Sequence, residues 1–371
     1  MRIDFRNLFI KLIIGSILII LVVSVADNIL RQHDLYIKSN QGNKNNQIQN
    51  RHNDVNINKK GITISFVGDI LLASRIGRKI DSEGANYPFE KVKDYLSSSD
   101  LAVGNLESSI AVTGTPVQGK EYTFRADPKV IGGLKYSGLD ILSLANNHVL
   151  DFGKEALVET LGHIEDGGLS YIGAGEDIDE AFKPVIVEIK KKKIAVFGAS
   201  RVIPAVSWYA GENAPGVAGV YNPDRLIEEI KTVKSNVDYI IVYMHWGTEK
   251  ETVSNKIQRS LARKVIDNGA DVVVGTHPHV LQGFEFYKGK IIAYSLGNFI
   301  FTNYNNPTMI LNIVLDQNVQ SAEVVPCMIR SFTPEPTYDE NEKQEIFQML
   351  EDRSVNAKIV DGNVFEFNAE N

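Results

Sequence analysis

The sequence predicts an α/β sandwich, with sheet inside and helices outside. Three observations carry this. Apolar strand-like runs and helical stretches alternate from Gly61 onward. Hairpin patterns then appear, with turns at Lys190 to Lys193 and at Lys288-Gly289. The apolar runs also end repeatedly in glycine, carboxylate, carboxamide or imidazole residues. Open α/β sheets gather such chemistry at the carboxyl ends of their strands.

Composition narrows the function. The 371 residues suffice for one large core or two smaller ones. Hydrophobic residues at 43% and charged residues at 23% are those of a globular protein. A formal charge of −7 argues against a general nucleic-acid binder. Contact with an acidic polymer would need a local basic patch, for which Lys120, Arg125 and Arg201 are candidates. The single cysteine, Cys327, excludes an intramolecular disulfide and reads as a buried strand thiol.

The amino-terminal segment reads as an export element. Arg2, Arg6 and Lys11 precede an uncharged run from Leu12 to Ala26. Counted from Leu8 the apolar segment is about 19 residues, close to the ~20 that span a bilayer. Positive charge on its amino side places that end in the cytoplasm and the remainder outside. Ser24 and Ala26 also fit a small-x-small cleavage site. Residues 1–26 are therefore expected to be a membrane anchor. The polar, asparagine-rich stretch 27–60 is expected to be a flexible tether.

Residues 61–330 carry the predicted domain. Ile62 to Val67 is a strand that stops at Gly68-Asp69. Phe89 to Leu96 is helical. Asp100 to Val103 is a strand that stops at Gly104-Asn105-Leu106-Glu107. A helix from Pro128 to Tyr136 leads to a strand, Leu139 to Leu144, that stops at Ala145-Asn146-Asn147-His148. Lys154 to Glu165 is a helix closed by Gly167-Gly168. Pro184 to Phe197 is a hairpin, and its four lysines read as a solvated turn. The helix Asp224 to Lys234 and the strand Tyr239 to Met244 lead to His245-Trp246-Gly247. The helix Ser254 to Asn268 leads to Val272-Val273-Val274-Gly275-Thr276-His277-Pro278-His279. Another hairpin, Phe284 to Tyr294, ends at Ser295-Leu296-Gly297-Asn298-Phe299. Met309 to Leu315 and Ala322 to Ile329 are β-like. In residues 331–371, Glu342 to Glu351 is a helix, with the tail packing on the domain.

Parallel strands in one sheet would bring Asp69, Glu107, Asn147, His148, His245, His277 and His279 to one edge. Each has a structural alternative on its own, such as a helix cap for Asp69 or an Asx turn for Asn147. A shared cleft explains all the strand ends together. Carboxylate, carboxamide and imidazole form a ligand set that suits Mn, Fe, Zn or Mg better than copper. Trp246 beside His245 reads as a packing residue.

The motif order resembles the calcineurin-like metallophosphoesterase superfamily. More closely, it is similar to the CapA/PgsA family of poly-γ-glutamate capsule synthesis proteins. The carrying residues are Phe66 to Ile70, Gly104 to Glu107, Ala145 to His148, His245 to Glu249, Gly275 to His279 and Ser295 to Phe299. The resemblance implies a metallophosphoesterase-like αββα sandwich, preceded by the transmembrane helix and linker. It implies one or two divalent metal ions held among Asp69, Asn105, Glu107, Asn147, His245, His277 and His279. His148 would be the catalytic acid toward a leaving group. It further implies a membrane-anchored, extracytoplasmic subunit. Its partners would be the polyglutamate polymer, a ligase and a small integral membrane protein.

Two departures weaken a two-metal centre. Leu71 stands where the superfamily's first-motif histidine would be, and Asn105 stands for its bridging aspartate. Two functions follow as expectations: a non-hydrolytic component of the polymer machine, or a metal-dependent hydrolase acting on a phosphoester or a γ-glutamyl bond.

Overall fold

Strand faces follow the period of two that pleated backbone imposes. In Tyr239–His245, the side chains of Tyr239, Ile241 and Tyr243 enter one apolar layer, while Ile240, Val242 and Met244 enter another. Such a strand, apolar on both faces, belongs in the middle of a sandwich. The computed structural model describes residues 61–302, 305–316 and 319–367. The expected anchor, residues 1–26, and tether, residues 27–60, lie outside the described residues. Among the described residues, no helix is long and apolar enough to cross a membrane.

The chain first lays down four parallel strands, β1 (Ile62–Ile70), β2 (Leu101–Leu106), β3 (Ile141–Ser143) and β4 (Ser170–Ile172). It then builds a second sheet from β5 (Val185–Ile189), β6 (Lys192–Ser200), β7 (Tyr239–His245), β8 (Val272–Thr276), β9 (Phe284–Tyr287) and β10 (Lys290–Ala293). This sheet has six strands in the order β9-β10-β8-β7-β6-β5, parallel inside and antiparallel at both edges. The chain returns to the first sheet with β11 (Asn298–Ile300) and β12 (Asn306–Asp316), followed by β13 (Val319–Arg330) and β14 (Thr333–Pro336). It closes with β15 (Ala357–Val360) and β16 (Asn363–Glu366), which complete ten strands.

Three apolar layers hold the sandwich. The central one lies between the sheets and includes Ile64, Phe66, Val103, Ile141, Val196, Ile241 and Val274. On the outer face of the ten-stranded sheet pack helices α1 (Ser74–Glu83), α2 (Val130–Ser137) and α3 (Gly153–Asp166), through residues such as Ile80, Leu134 and Leu157. On the outer face of the six-stranded sheet pack α4 (Asp224–Lys234) and α5 (Lys256–Asp267), through Leu226, Ile230, Leu261 and Val265. Asn255 and Gln258 form a capping box that starts α5. Helix α6 (Glu340–Asp352) inserts Ile346, Phe347 and Leu350 into the central layer. The architecture is the expected sandwich, with helices outside two sheets.

Some local readings change. The stretch expected to be helical from Phe89 to Leu96 is a short 3-10 turn, Tyr87–Phe89, followed by a brief helix, Lys93–Ser97. The Phe89 amide donates to the Asn86 carbonyl at 2.9 Å and the Val92 amide to the Phe89 carbonyl at 3.0 Å, tight three-residue turns that bury Phe89 and Val92 without a continuous α-helix. The terminal tail, beyond its helix, forms the hairpin β15–β16, paired through β16 with β13.

Candidate functional site

The sequence-predicted residues meet at one end of the sandwich, but they come from both sheets. Asp69 arrives on β1, Asn105 on β2 and Glu107 just after it, and Asn147 and His148 after β3. His245, His277 and His279 arrive on β7 and after β8. The expectation of a single sheet edge is thus corrected: the residues meet across the seam between two sheets. The central layer sets the seam. Phe66 of β1 and Tyr243 of β7 both pack in it, and the Tyr243 hydroxyl donates to the Val67 carbonyl at 2.5 Å.

Close backbone approach aims Asp69. The register of β1 against β2 shifts between Phe66 and Asp69, as at a β-bulge. A Cβ on Gly68 would lie 1.9 Å from the Gly297 carbonyl oxygen, so only glycine lets β1 and β11 run together here. The Asp69 amide donates to that same oxygen at 2.9 Å. The His-Pro-His turn is strained at both histidines, with φ of +93° at His277 and +60° at His279. Non-glycine residues hold such angles only where the surroundings fix them. Here the Asp69 carboxylate accepts from the His277 amide at 3.3 Å, and the Pro278 carbonyl accepts from the Lys250 amide at 2.8 Å.

One half of the floor is a closed amide network. Asn105 donates to Asp69 at 2.8 Å, and its carbonyl accepts from Asn146 at 3.1 Å. Asn146 also donates to the Leu106 carbonyl at 2.8 Å and accepts from the amides of His148 at 3.0 Å and Val149 at 2.9 Å. The Asn147 side-chain oxygen lies 2.9 Å from His245 Nε2, and His245 Nδ1 lies 3.2 Å from the Thr276 hydroxyl. Burial holds His245 well below the ordinary imidazole range, with the neighbouring His277 adding to the effect.

The other half is open. Glu107 is fully buried, and neither carboxylate oxygen has a hydrogen-bond partner. His277 Nδ1 is buried without one as well. One ligand atom from each of Glu107, His277 and His279 lies within 4.8 Å of the others. His279 Nδ1 is 2.8 Å from the Asn298 side-chain oxygen and 3.3 Å from Asp69, while Nε2 faces Glu107 at 3.9 Å. Such a partner on one ring nitrogen orients the other as a ligand. A buried carboxylate without donors is costly unless positive charge meets it. The residues present therefore fit a divalent cation, and their oxygen and nitrogen donors are of the kind such ions take.

Electrostatics agree with that fit. Burial pushes Glu107 well above the ordinary carboxylate range, and nearby Asp69 adds to it. Burial pushes His277 down to about 4, helped by His279. Burial alone would also lower His279, but Glu107 and Asp69 outweigh it and hold that imidazole up at about 10. The paired carboxylates thus draw a proton to the one imidazole that faces both.

His148 stands beside this cluster. Its Nδ1 is 2.7 Å from Asp151 Oδ2, a carboxylate oxygen that also accepts from the Phe124 amide at 2.7 Å. Lys120 contacts the Asn147 carbonyl, Asp151 and His148 Nδ1 together. The Phe124 ring lies 4.6 Å from the imidazole. Burial lowers the His148 pKa, although Asp151 opposes the shift.

The structure assigns other predicted residues to structural roles. Leu71 is buried in the apolar layer under the helices, so the position two after Asp69 offers no ligand. Trp246 is buried and donates to the Tyr294 carbonyl at 2.9 Å; it packs, as expected. Arg125 donates to the carbonyls of Val112, Thr113 and Gly114. Cys327 is buried and free. Sequence reasoning missed Asn146 as the hub, Asp151 as the partner of His148, and Asn298 as the partner of His279. The i,i+3 spacing of His148 and Asp151 was the available signal for the second.

Residues 63–303 match the model of the family described as bacterial capsule synthesis protein PGA_cap. The chain is 32% identical over 311 residues to the PGA biosynthesis protein CapA of Bacillus subtilis (strain 168), covering 82% of this chain and 81% of that protein. It is 31% identical over 300 residues to the capsule biosynthesis protein CapA of Bacillus anthracis, covering 78% and 72%. Among solved structures, a hypothetical protein from Thermus thermophilus superposes with a TM-score of 0.46 at 14% identity, over 74% of this chain and 100% of that one. A likeness that distant bears on no activity. The family match spans well over half of the chain and agrees with the relatives: this chain belongs to the bacterial capsule synthesis protein PGA_cap family.

Proposed function

We propose that this chain is a membrane-anchored, extracytoplasmic component of poly-γ-glutamate capsule synthesis and export, with a divalent-cation site between its two sheets. Family membership supports the process. The basic and then apolar amino-terminal sequence supports the anchor. Its partners in this reading are the polymer, a ligase and a small integral membrane subunit. The observation that carries the site is Glu107, buried with both oxygens unpartnered and facing His277 and His279. Those three residues would hold the ion, with Asp69, Asn147 and His245 adjoining. In cells lacking the chain, the parent sequence should restore polymer output and a His277→Ala/His279→Ala variant should not. Full restoration by the variant would contradict the site's part in the process.

A second reading, a metal-dependent hydrolase of the metallophosphoesterase kind, is favoured by the His148–Asp151 pair beside that cluster. A bound Mn, Fe, Zn or Mg ion would polarise a phosphoryl or carbonyl oxygen. Asp151 holds His148 by Nδ1, which leaves Nε2 to exchange a proton with a leaving group. Cleavage of a phosphoester or a γ-glutamyl bond, abolished by His148→Ala, would establish it. No cleavage in the metal-loaded protein would leave the non-hydrolytic component.

A further inference from the structure

We propose that Arg201 is an anchor for the anionic group of the substrate, a specificity residue at the rim of the cation site. The inference rests on the proposed function and names the chemistry that the same cleft would recognise.

Arg201 follows directly on the end of β6, where Ser200 pairs with His245. Its amide donates to the His245 carbonyl at 2.8 Å, so its backbone is fixed to a residue of the site floor. The guanidinium stacks on the Tyr221 ring, 3.8 Å from the centroid. Tyr221 is held at the same edge, because the amide of the preceding Val220 donates to the Ser200 carbonyl at 2.8 Å.

The guanidinium has no hydrogen-bond acceptor or carboxylate partner among the described residues. Other arginines show the contrast. Arg225 pairs with Asp179 and Glu229, Arg263 with Glu285, and Arg330 with Glu342. Arg125 is committed to three carbonyls. Arg75 and Arg78, on α1, are exposed, whereas Arg201 is half-buried. A half-buried guanidinium with a free edge in a chain of net charge −7 is not explained by structure alone.

Stacking leaves the right geometry for recognition. The ring covers one face of the guanidinium, and its five N–H donors lie in the plane, free to grip two oxygens at once. Carboxylate and phosphate both present such oxygen pairs. The loop after Arg201 also carries Trp208 toward the second rim cation: Lys120 Nζ lies 5.0 Å from the Trp208 ring and 3.1 Å from His148 Nδ1. Tyr209 follows Trp208 in the chain and its ring lies 6.4 Å from that of Tyr221. Lys120 already serves Asp151, which leaves Arg201 as the free anion receptor. The favoured ligand is the α-carboxylate that each γ-linked glutamyl unit leaves free, with a phosphate group as the other source of the same chemistry.

The test is equilibrium binding to the full-length chain, using a γ-glutamyl oligomer in one arm and inorganic phosphate in the other. Arg201→Gln should weaken the oligomer at least tenfold, Arg201→Lys by less, and Tyr221→Leu by a few fold, with metal content unchanged in all three. A tenfold loss for phosphate with none for the oligomer would keep the anion receptor and reassign its ligand. Binding of either probe to Arg201→Gln within twofold of the parent would overturn the role of Arg201 toward that probe while leaving the proposed function standing. Failure of both probes to bind the parent chain would overturn the inference together with the substrate reading beneath it.

Discussion

The two halves of the site floor are built from similar residues and behave differently. Around Asn105 and Asn146, each side-chain amide is engaged: Asp69, Leu106, His148 and Val149 take up the bonds. Around Glu107, a few ångströms away, two carboxylate oxygens and His277 Nδ1 are buried with no partner. Both regions are buried, and both are polar. Folding tolerates the first because it is complete, and the second conflicts with the rule that buried polar groups are satisfied. The amide half is the frame, and the Glu107 half is the receptor. Strain follows the same division, since His277 and His279 hold positive φ on the receptor side.

The largest expected effect separates the halves by metal affinity. Glu107→Gln should lower affinity for Mn or Zn by about 100-fold or more, since a ligand is lost rather than a supporting partner. Above about pH 10 in the metal-free protein, where His279 is neutral and no longer meets Glu107 with a charge, the same change should raise stability by about 1–3 kcal/mol, because an unpartnered buried carboxylate is removed. Titration calorimetry and urea unfolding would read the two signs. Loss of both affinity and stability would place Glu107 in the frame instead.

Asn146→Ala should do the reverse. It unpairs the amides of His148 and Val149 as well as the oxygens of Asn105 and Leu106, costing about 3 kcal/mol. Residual metal affinity in the folded fraction should fall less than in Glu107→Gln. A variant as stable as the parent would show that the amide network is not the frame of the site.

The halves should also differ in proton linkage. His279 sits at about 10 without metal and must be neutral at its ligating nitrogen. Metal binding at pH 8 should therefore release about one proton from His279, and affinity should rise with pH until about 10. The same shift stabilises the metal-free fold fully below about 6.5, the ordinary imidazole value. That stabilisation is lost as pH rises through about 10. Calorimetry in buffers of different ionisation heat would count the proton. His245, pushed well below the ordinary range, should contribute none near neutrality.

The smallest effect lies outside both halves. Trp246→Phe removes the bond to the Tyr294 carbonyl and should cost about 1 kcal/mol. Metal content should not change. A marked loss of metal would move Trp246 from packing into the site.

Much of this was legible in the sequence. Strand ends such as Val274-Gly275-Thr276-His277 announce themselves because β-branched runs stop at glycine and polar chemistry follows at once. The alternation of apolar strand runs with helical stretches, followed by hairpins, made the sandwich readable. Topology was not legible. Local pattern does not reveal that the chain leaves the first sheet after β4 and returns at β11, and so it hid the seam. Adjacent asparagines look alike in sequence, yet Asn146 turns inward as the hub while Asn147 reaches His245. Helix α1 goes unread because its buried face amounts to one i,i+4 pair, Ile76 and Ile80, in an otherwise polar stretch. Asn298 could be quoted as part of a motif, but its bond to His279 depends on the close approach of Gly68 and Gly297.

The most direct measurement is bound transition metal per full-length chain, beside the His277→Ala/His279→Ala variant, with the fold of each checked by circular dichroism. The parent should hold at least one equivalent of metal and the variant none, both folded. A folded parent that takes up no Mn, Fe, Zn or Mg under any loading condition would contradict the claim that Glu107, His277 and His279 form a cation receptor.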